Sequence, residues 1–217
     1  MKEMIDLTYA IEEGMPIFNA PWHQKVEIKR LGKIDKEGRE TRKITLGSHT
    51  GTHVDAPLHF IKGGKSVDLI SPKKMFGEVD IIDLSSLEER APITPRMLKR
   101  KIQRSRVIFK FGWGRRWGKN SFFEDYPYFT EEAAKFIIRK GVELIGLDTP
   151  SPDRSYGKLI CDLDSPIHKI LLSHEVVIVE YLANLEKVDT SKSWKLIVMP
   201  WKIKGAAGAP ARVFVFR

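Results

Sequence analysis

Short runs of apolar residues, separated by polar and turn-forming positions, predict a chain rich in β-strands. These runs are enriched in Val, Ile and Phe, which favour strands. Residues 41–46 alternate polar and apolar side chains, as a half-buried strand does. The predicted strands are residues 4–9, 25–31, 41–46, 79–84, 107–111, 142–147, 176–181, 195–199 and 212–216.

Start and stop signals predict three helices between these strands. Thr94, followed by a proline, is a good N-cap, and it predicts a helix that runs to about Gln103. Thr130 precedes two glutamates, and Gly141 follows a lysine, so a second helix is predicted between them. A third helix is predicted over residues 166–172.

The order of these elements indicates the fold class. Between residues 79 and 181 strands and helices alternate, which is typical of an α/β fold. The β-rich ends of the chain then supply extra strands around that centre. A length of 217 residues suits one large domain, and two would be cramped. We therefore expect residues 1–217 to form a single α/β domain.

Composition describes an ordinary globular protein with a basic excess. Hydrophobic residues make up 42% of the chain, and the 37 Lys and Arg exceed the 28 Asp and Glu to give a net charge of +9. This charge allows nucleic-acid binding or an anionic substrate. The basic residues are scattered among acids, however, and the best basic and aromatic cluster, residues 113–117, is short. We favour a solvated surface and expect no nucleic-acid partner.

The sequence also bears on the compartment. No apolar run approaches the ~18 residues of a membrane span, and acids stand where a signal peptide would have its apolar stretch. The only cysteine, Cys161, excludes an intrachain disulfide, which fits a reducing compartment. We expect a cytoplasmic protein that does not associate with membranes.

One segment concentrates chemistry. Three of the six histidines, His49, His53 and His59, fall within eleven residues, and Asp55 lies among them. Imidazole and carboxylate groups are common ligands of zinc and similar divalent ions. Isolated loop histidines held by hydrogen bonds are the alternative, but that alternative does not explain why three cluster.

The spacing constrains the backbone. In an extended chain all four side chains share one face, yet a straight strand from His49 to Asp55 would span roughly 20 Å. Ligands of one ion must lie much closer together. The chain must therefore curl before His53, and Gly51 supplies the necessary freedom. Pro57 then stiffens the backbone before the last histidine.

The sequence H-T-G-T-H-V-D-A-P-L-H-F at residues 49–60 resembles the pattern H-x-G-T-H-x-D-x-P-x-H-F of the cyclase-like metal-dependent hydrolases. That family includes bacterial kynurenine formamidase (arylformamidase) and isatin hydrolase. The resemblance covers nearly the whole chain. Its other matching stretches are residues 6–8, 15–16, 146–153, 168–172, 179–185 and 208–212.

The resemblance implies a set of site residues and a fold. His59 matches the catalytic acid/base, and Asp55 would bridge two ions in formamidase-like members. Zinc is the first candidate ion and manganese the second, because His and carboxylate ligands suit both. The implied fold is a compact α/β unit of mixed strands in a twisted barrel-like sheet with flanking helices, assembled as a homodimer or homotetramer. The implied ligands of one or two divalent ions are His49, His53, Asp55, His168 and Glu180.

Two of these ligands have other interpretations when the residues are considered alone. Glu180 lies in an apolar strand, where burial without a partner is costly. A metal ion or a water-facing edge position would each remove that cost. His168 stands beside apolar residues, which is typical of a hydrogen-bonded core histidine. His23 and His174 match no metal position, and we expect both on the surface or in packing.

The resemblance implies hydrolysis of a small amide by metal-activated water. An aryl formamide such as N-formylkynurenine is the leading substrate. A cyclic amide or imide like isatin, or a small ester, is the alternative. Phe18 replaces the tryptophan of the formamidase pattern, so Phe18 and nearby Trp22 are predicted to contact the substrate. Arg115 and Arg116 could meet a substrate carboxylate.

Overall fold

A computed structural model describes residues 3–155 and 165–217, and Cys161 lies outside them. The strands are β1 (Met4–Asp6), β2 (Glu27–Gly32), β3 (Thr41–Thr45), β4 (His53–Asp55), β5 (Phe76–Asp83), β6 (Pro92–Ile93), β7 (Arg106–Lys110), β8 (Tyr128–Phe129), β9 (Leu144–Leu147), β10 (Val177–Glu180), β11 (Trp194–Pro200) and β12 (Gly208–Phe216). The α-helices are α1 (Ile34–Glu37), α2 (Pro95–Leu98), α3 (Glu131–Arg139) and α4 (Pro166–Ser173).

Seven strands of the described chain close into a barrel. Their order is β12, β11, β5, β7, β9, β10 and β4, and β4 pairs again with β12 to complete the circle. Strands β5, β7, β9 and β10 are parallel neighbours, and helices α2, α3 and α4 are the intervening crossovers. The remaining barrel pairings are antiparallel. The α/β class with a mixed barrel-like sheet is therefore confirmed.

Side chains alternate between two cores across this barrel. Val107 and Phe109 pack on the outer face with the helices, whereas Ile108 packs in a second cluster to which all seven strands contribute. Because the sheet is closed, that second cluster is the barrel interior. Because side chains alternate along a strand, the neighbours of an interior residue point outward. Val54 and Val179 are interior, so the adjacent Asp55 and Glu180 point to the outer face.

The predicted elements differ from the observed ones mainly at their ends. The predictions of α3 and α4 are confirmed, but α2 ends at Leu98 and not at Gln103. The Asp80 carboxylate of β5 accepts hydrogen bonds from the backbone N–H groups of Gln103 and Arg104, at 2.6 and 2.7 Å. These bonds hold the chain in a non-helical conformation there. The short elements α1, β4, β6 and β8 were not predicted.

Strands β2 and β3 form a separate antiparallel ribbon that pairs with no barrel strand in the described structure. Leu31, Ile34 and Ile44 in and beside it are largely exposed. A two-stranded ribbon is marginally stable alone, so this one needs further contacts. Within the described residues, no helix has the length and apolarity needed to cross a bilayer.

Candidate metal centre and active site

The turn before β4 brings His49 back towards the strand that follows it. Gly51 has a φ of +60°, a left-handed conformation that lets the chain curl there. The His49 Nδ1 atom then lies 2.6 Å from Asp55 Oδ1. His53 Nδ1 donates to the Gly51 carbonyl at 2.7 Å, so the neutral ring keeps a lone pair on Nε2. The predicted curl before His53 is confirmed.

The register of β4 against its neighbours gathers the other groups. Glu180 of β10 lies directly opposite His53, so both side chains stand on the outer face of the barrel. On the other side, Gly208 of β12 lies opposite Asp55. A Cβ atom at Gly208 would come within 2.5 Å of the His49 ring. The missing side chain therefore makes room for His49.

Helix α4 places His168 over the same face. Asp153 orients this histidine: its carboxylate accepts from His168 Nδ1 at 2.6 Å, and from the backbone N–H groups of Ile167 and His168 at 2.7 and 3.1 Å. These bonds fix the Asp153 carboxylate against the first turn of α4 and hold the His168 ring in one orientation. His168 Nε2 then lies 3.3 Å from Asp55 Oδ2 and 3.2 Å from Glu180 Oε1. A carboxylate behind the imidazole is typical of metal-binding histidines.

Two carboxylate oxygens in this cluster have no hydrogen-bond donor. They are Asp55 Oδ2 and Glu180 Oε1, and both are fully buried. An unsatisfied buried carboxylate oxygen is costly, and a bound cation removes the cost. The five predicted ligands, all on this face, also supply only imidazole nitrogens and carboxylate oxygens, which suit a divalent ion. The residues present thus fit the metal that the sequence predicted.

The possible ligand atoms fall into two groups that share Asp55. One group is His49, Asp55 and His59, and the other is His53, Asp55 and Glu180, with the ligand atoms of each within 4.8 Å of one another. His53 Nε2 is 3.3 Å from Asp55 Oδ1 and 3.5 Å from Glu180 Oε2. Asp55 is thus the residue common to both groups of possible ligands. The resemblance places His53 with His49 as a ligand of the first ion. In the structure, however, His53 groups with Asp55 and Glu180.

His59 lies at the end of a 3-10 turn over Pro57–His59. Its ring stacks on the ring of His49 with centroids 3.9 Å apart, and the His168 ring is 6.1 Å away. Burial lowers the pKa of His59 to about 3, with nearby histidines adding to the effect. In the metal-free protein this imidazole is therefore neutral at pH 7.

Burial also shifts the pKa of the two buried carboxyl groups. Burial opposes ionisation of Asp55, but the positive potential of His49, His59 and His53 outweighs it and holds the pKa of Asp55 well below its usual range. Burial, and then the charge of Asp55, raise the pKa of Glu180 to about 7. Asp55 thus ionises readily, whereas Glu180 is only partly ionised near neutral pH in the metal-free protein.

The cluster forms the floor of a cavity of about 460 Å³. Phe18 and Trp22 line its wall, where the sequence predicted substrate contacts. His23 also lines it: its ring packs edge-on against Phe18 with centroids 5.7 Å apart, as a packing role predicts, and lies 6.4 Å from the ring of His49. Its only signal in the sequence was proximity to Trp22. His174 is exposed at the end of α4, as expected.

The aromatic and basic segment 113–117 is not part of this cavity wall. Trp113 is buried in the core, and the Arg116 guanidinium packs on its ring and pairs with Glu89. Arg115 and Arg116 therefore do not line the cavity, and the idea that they meet a substrate carboxylate is wrong. Buried Asp148 holds the segment, accepting from the N–H groups of Phe111 and Trp113 at 2.9 Å each.

Known proteins that are similar in sequence and fold are named as formamidases, hydrolases or cyclases. Residues 5–154 match the family described as "Putative cyclase". The kynurenine formamidase of Bacillus cereus (strain ATCC 10987 / NRS 248) is 31% identical over 182 residues, which cover 80% of this chain and 78% of that protein. The chain belongs to the cyclase family.

Solved structures of similar proteins agree over the whole chain. Isatin hydrolase A from Labrenzia aggregata, bound to benzyl benzoate, superposes with a TM-score of 0.85 at 26% identity, covering 98% of this chain and 93% of that one. A structure described as a potential metal-dependent hydrolase with cyclase activity gives a TM-score of 0.74 at 28% identity, covering 98% and 96%. The described barrel is thus a fold on which metal-dependent hydrolases are built.

Proposed function

We propose that this protein is a metal-dependent hydrolase of small amides, acting on carbon–nitrogen bonds other than peptide bonds. The observation that carries the proposal is the pair of donor-less oxygens on Asp55 and Glu180, surrounded by imidazoles on the floor of an open cavity. The kynurenine formamidase relative and the isatin hydrolase neighbour share this class of reaction.

The residues that would hold the metal are those predicted from the sequence. His49, His53 and Asp55 would bind one ion, and His168 and Glu180 would bind a second, with Asp55 between the two. Zinc is the first candidate and manganese the second. Bound there, a divalent ion lowers the pKa of water and polarises the amide carbonyl.

The chain's own side chains would do the remaining work. His59, neutral at pH 7, would accept a proton from the attacking water and deliver it to the leaving amide nitrogen. Amides need this second transfer because an unprotonated amine leaves poorly. Phe18 and Trp22 would pack on the ring of an aromatic substrate. The cavity above the cluster is large enough for a small aromatic molecule.

N-formylkynurenine is the first substrate to test, because the relative that is 31% identical is named as a kynurenine formamidase. A cyclic amide such as isatin is the second candidate, because isatin hydrolase A superposes at a TM-score of 0.85. The formamidase pattern has a tryptophan where this chain has Phe18, so the sequence does not favour N-formylkynurenine alone.

The test is a rate assay on both substrates with the purified protein, the chelator-treated protein, and the protein resupplied with zinc or manganese. We expect activity on one substrate to disappear with chelation and return with one metal. His174→Ala, a change to an exposed histidine, is the control and should behave as the wild type. Stoichiometric metal without hydrolysis of either substrate would contradict the amide proposal and leave the site intact.

We also propose a cytoplasmic homodimer or homotetramer. The exposed ribbon of β2 and β3 supports the assembly, because Leu31 and Ile44 are uncovered on a ribbon that is marginal alone. Light scattering of the double variant Leu31→Lys/Ile44→Lys should show a smaller particle than the wild type. Leu69→Lys, at an exposed leucine outside the ribbon, should not change the size.

A further inference from the structure

Arg154 is the only Lys or Arg among the described residues that line the active-site cavity. Its side chain is exposed at the rim, and its one described contact is with the face of Tyr128, with Cζ 5.5 Å from the ring centroid. Two other arginines, by contrast, form ion pairs: Arg90 with Asp125, and Arg116 with Glu89. Within the part of the chain that the structure describes, the guanidinium donors of Arg154 therefore have no protein acceptor and can bind a ligand.

The backbone on both sides of Arg154 is anchored. The carboxylate of Asp153 is bound to the first turn of α4 and to His168. On the other side, Ser155 Oγ accepts from Asp125 N at 3.2 Å and donates to the Phe123 carbonyl at 3.4 Å. The base of the Arg154 side chain is therefore held at a fixed place relative to the metal cluster. Because the Asp153 carboxylate is bound to α4 and to His168, it does not form an ion pair with the adjacent Arg154.

The same anchor connects Arg154 to the aromatic wall. The Phe18 ring packs edge-on against the Phe123 ring, with centroids 6.1 Å apart. A substrate ring against Phe18 would thus lie beside the chain segment that carries Arg154. The acids of the cavity, Asp153 and Glu180, lie below the rim and are buried. A carboxylate on the substrate could therefore meet the guanidinium at the rim without meeting an exposed acid of the cavity wall.

We propose that Arg154 binds a carboxylate of the substrate and so selects, among small aryl amides, those that carry an acidic side chain. The guanidinium fork matches a carboxylate with two parallel hydrogen bonds. Binding at the rim would leave the amide free to reach the cluster beneath. This inference rests on the proposed hydrolase function and specifies the substrate class of that site.

The test uses two substrates that differ by one carboxylate, N-formylkynurenine and N-formylkynuramine, with the metal-loaded protein. Arg154→Gln should lower kcat/KM for N-formylkynurenine about 10- to 100-fold, mainly through KM, because a hydrogen bond to a charged group contributes about 1.5–3 kcal/mol. For N-formylkynuramine the same change should cause little loss or a small gain. Arg154→Lys should restore part of the selectivity.

Arg139→Gln is the matched control. Arg139 is also exposed and also packs over a single aromatic ring, that of Phe136, but it lies outside the cavity. Both substrates should be processed by this variant at the wild-type rate. An equal loss on the two substrates in Arg154→Gln, or no loss on either, would overturn the proposal.

Binding of the products separates this inference from the proposed function. If the wild type hydrolyses neither substrate, the hydrolase assignment fails for aryl formamides, and calorimetry with kynurenine and kynuramine decides the role of Arg154. Tighter binding of kynurenine that is lost in Arg154→Gln would support carboxylate selection. Equal binding of the two amines, or no binding of kynurenine by the wild type, would refute it.

Discussion

The stacking of His59 on His49 makes two roles possible for His59, and the two can be separated. One of its ring nitrogens lies within 4.8 Å of the possible ligand atoms of His49 and Asp55. A ligand would be lost with the metal, whereas an acid/base would leave the metal in place. Asp55→Ala removes the carboxylate shared by both ligand groups, so it serves as the reference for loss of metal.

We expect His59→Ala to retain the metal and to lower kcat about 10²- to 10⁴-fold, the usual contribution of a general acid/base. Asp55→Ala should lose metal and activity together. Metal content by atomic emission and the rate on the best substrate check both variants. A His59→Ala protein that is purified without metal would show that His59 is a ligand, and the proposed proton transfer would be wrong.

Gly208 allows a second prediction for a single residue, because a side chain at this position would collide with the His49 ring. An added Cβ would lie 2.6 Å from the Val54 carbonyl oxygen as well as against His49, and the backbone atom cannot move aside. We expect Gly208→Ala to lower the free energy of unfolding by about 1–3 kcal/mol, as overpacking does.

The same change should weaken metal binding, because His49 must move away from Asp55. Gly47→Ala is the control, since its Cβ would meet no atom closer than 3.5 Å. Thermal unfolding and metal titration of both variants check the prediction. Wild-type metal affinity in Gly208→Ala would show that His49 does not depend on this gap.

Among single residues, the sequence was informative where chemistry is local. The pattern around His49 and His53 predicted the ligand types and the turn at Gly51, and the turn is observed. Asp153 and His23 were not identified as site residues. Their roles depend on contacts between segments far apart in the chain, such as Asp153 with His168, and no spacing rule relates such segments.

At the scale of elements, the parallel strands and crossover helices were predictable and the closure of the barrel was not. Alternating apolar runs and caps predicted β5, β7, β9 and β10 and the helices between them. Strand β4 has three residues, too few for any periodicity, yet its pairing with β10 and β12 closes the sheet. Closure depends on long-range register, which local patterns do not specify.

The end of α2 gives a prediction at this scale. Asp80 competes with the helix for the N–H groups of Gln103 and Arg104. We expect Asp80→Ala to lower the free energy of unfolding by about 1 kcal/mol, or the melting temperature by about 2–4 °C for a protein of this size.

Asp80→Asn keeps one acceptor oxygen and should lose less than half of that stability. Differential scanning calorimetry of the two variants measures the difference. If Asp80→Ala melts like the wild type, the N–H groups find other acceptors, and the early end of α2 has another cause.

For the molecule as a whole, the protonation of the buried cluster makes the stability of the protein depend on pH and on metal binding. Without metal, Glu180 has a pKa raised by burial and by Asp55 to about 7, above its ordinary value of 4.5. Burial opposes protonation of His168, but the hydrogen bond to Asp153 and the nearby carboxylates of Asp55 and Glu180 raise the pKa of His168 well above 6.5. Both groups therefore bind more protons in the folded state than in the unfolded state.

The sign of the pH dependence follows from these directions. A group whose pKa is raised by folding stabilises the protein at low pH, and that contribution is lost as the pH rises through the folded pKa. Glu180 loses its contribution between about pH 4.5 and about pH 7, and His168 loses its own above pH 6.5. Metal binding has the opposite dependence, because the ligands must be deprotonated.

We therefore expect the melting temperature of the metal-free protein to fall between about pH 6 and about pH 8. Over the same range the difference between metal-loaded and metal-free protein should widen, because metal bound only to the folded state stabilises it. Scanning fluorimetry of both forms across this range measures the two trends. In Glu180→Gln the metal-free decline should be shallower, since that variant has no carboxyl to ionise. A difference that stays constant with pH would mean that metal binding displaces no protons, and the cluster would then not be the metal site.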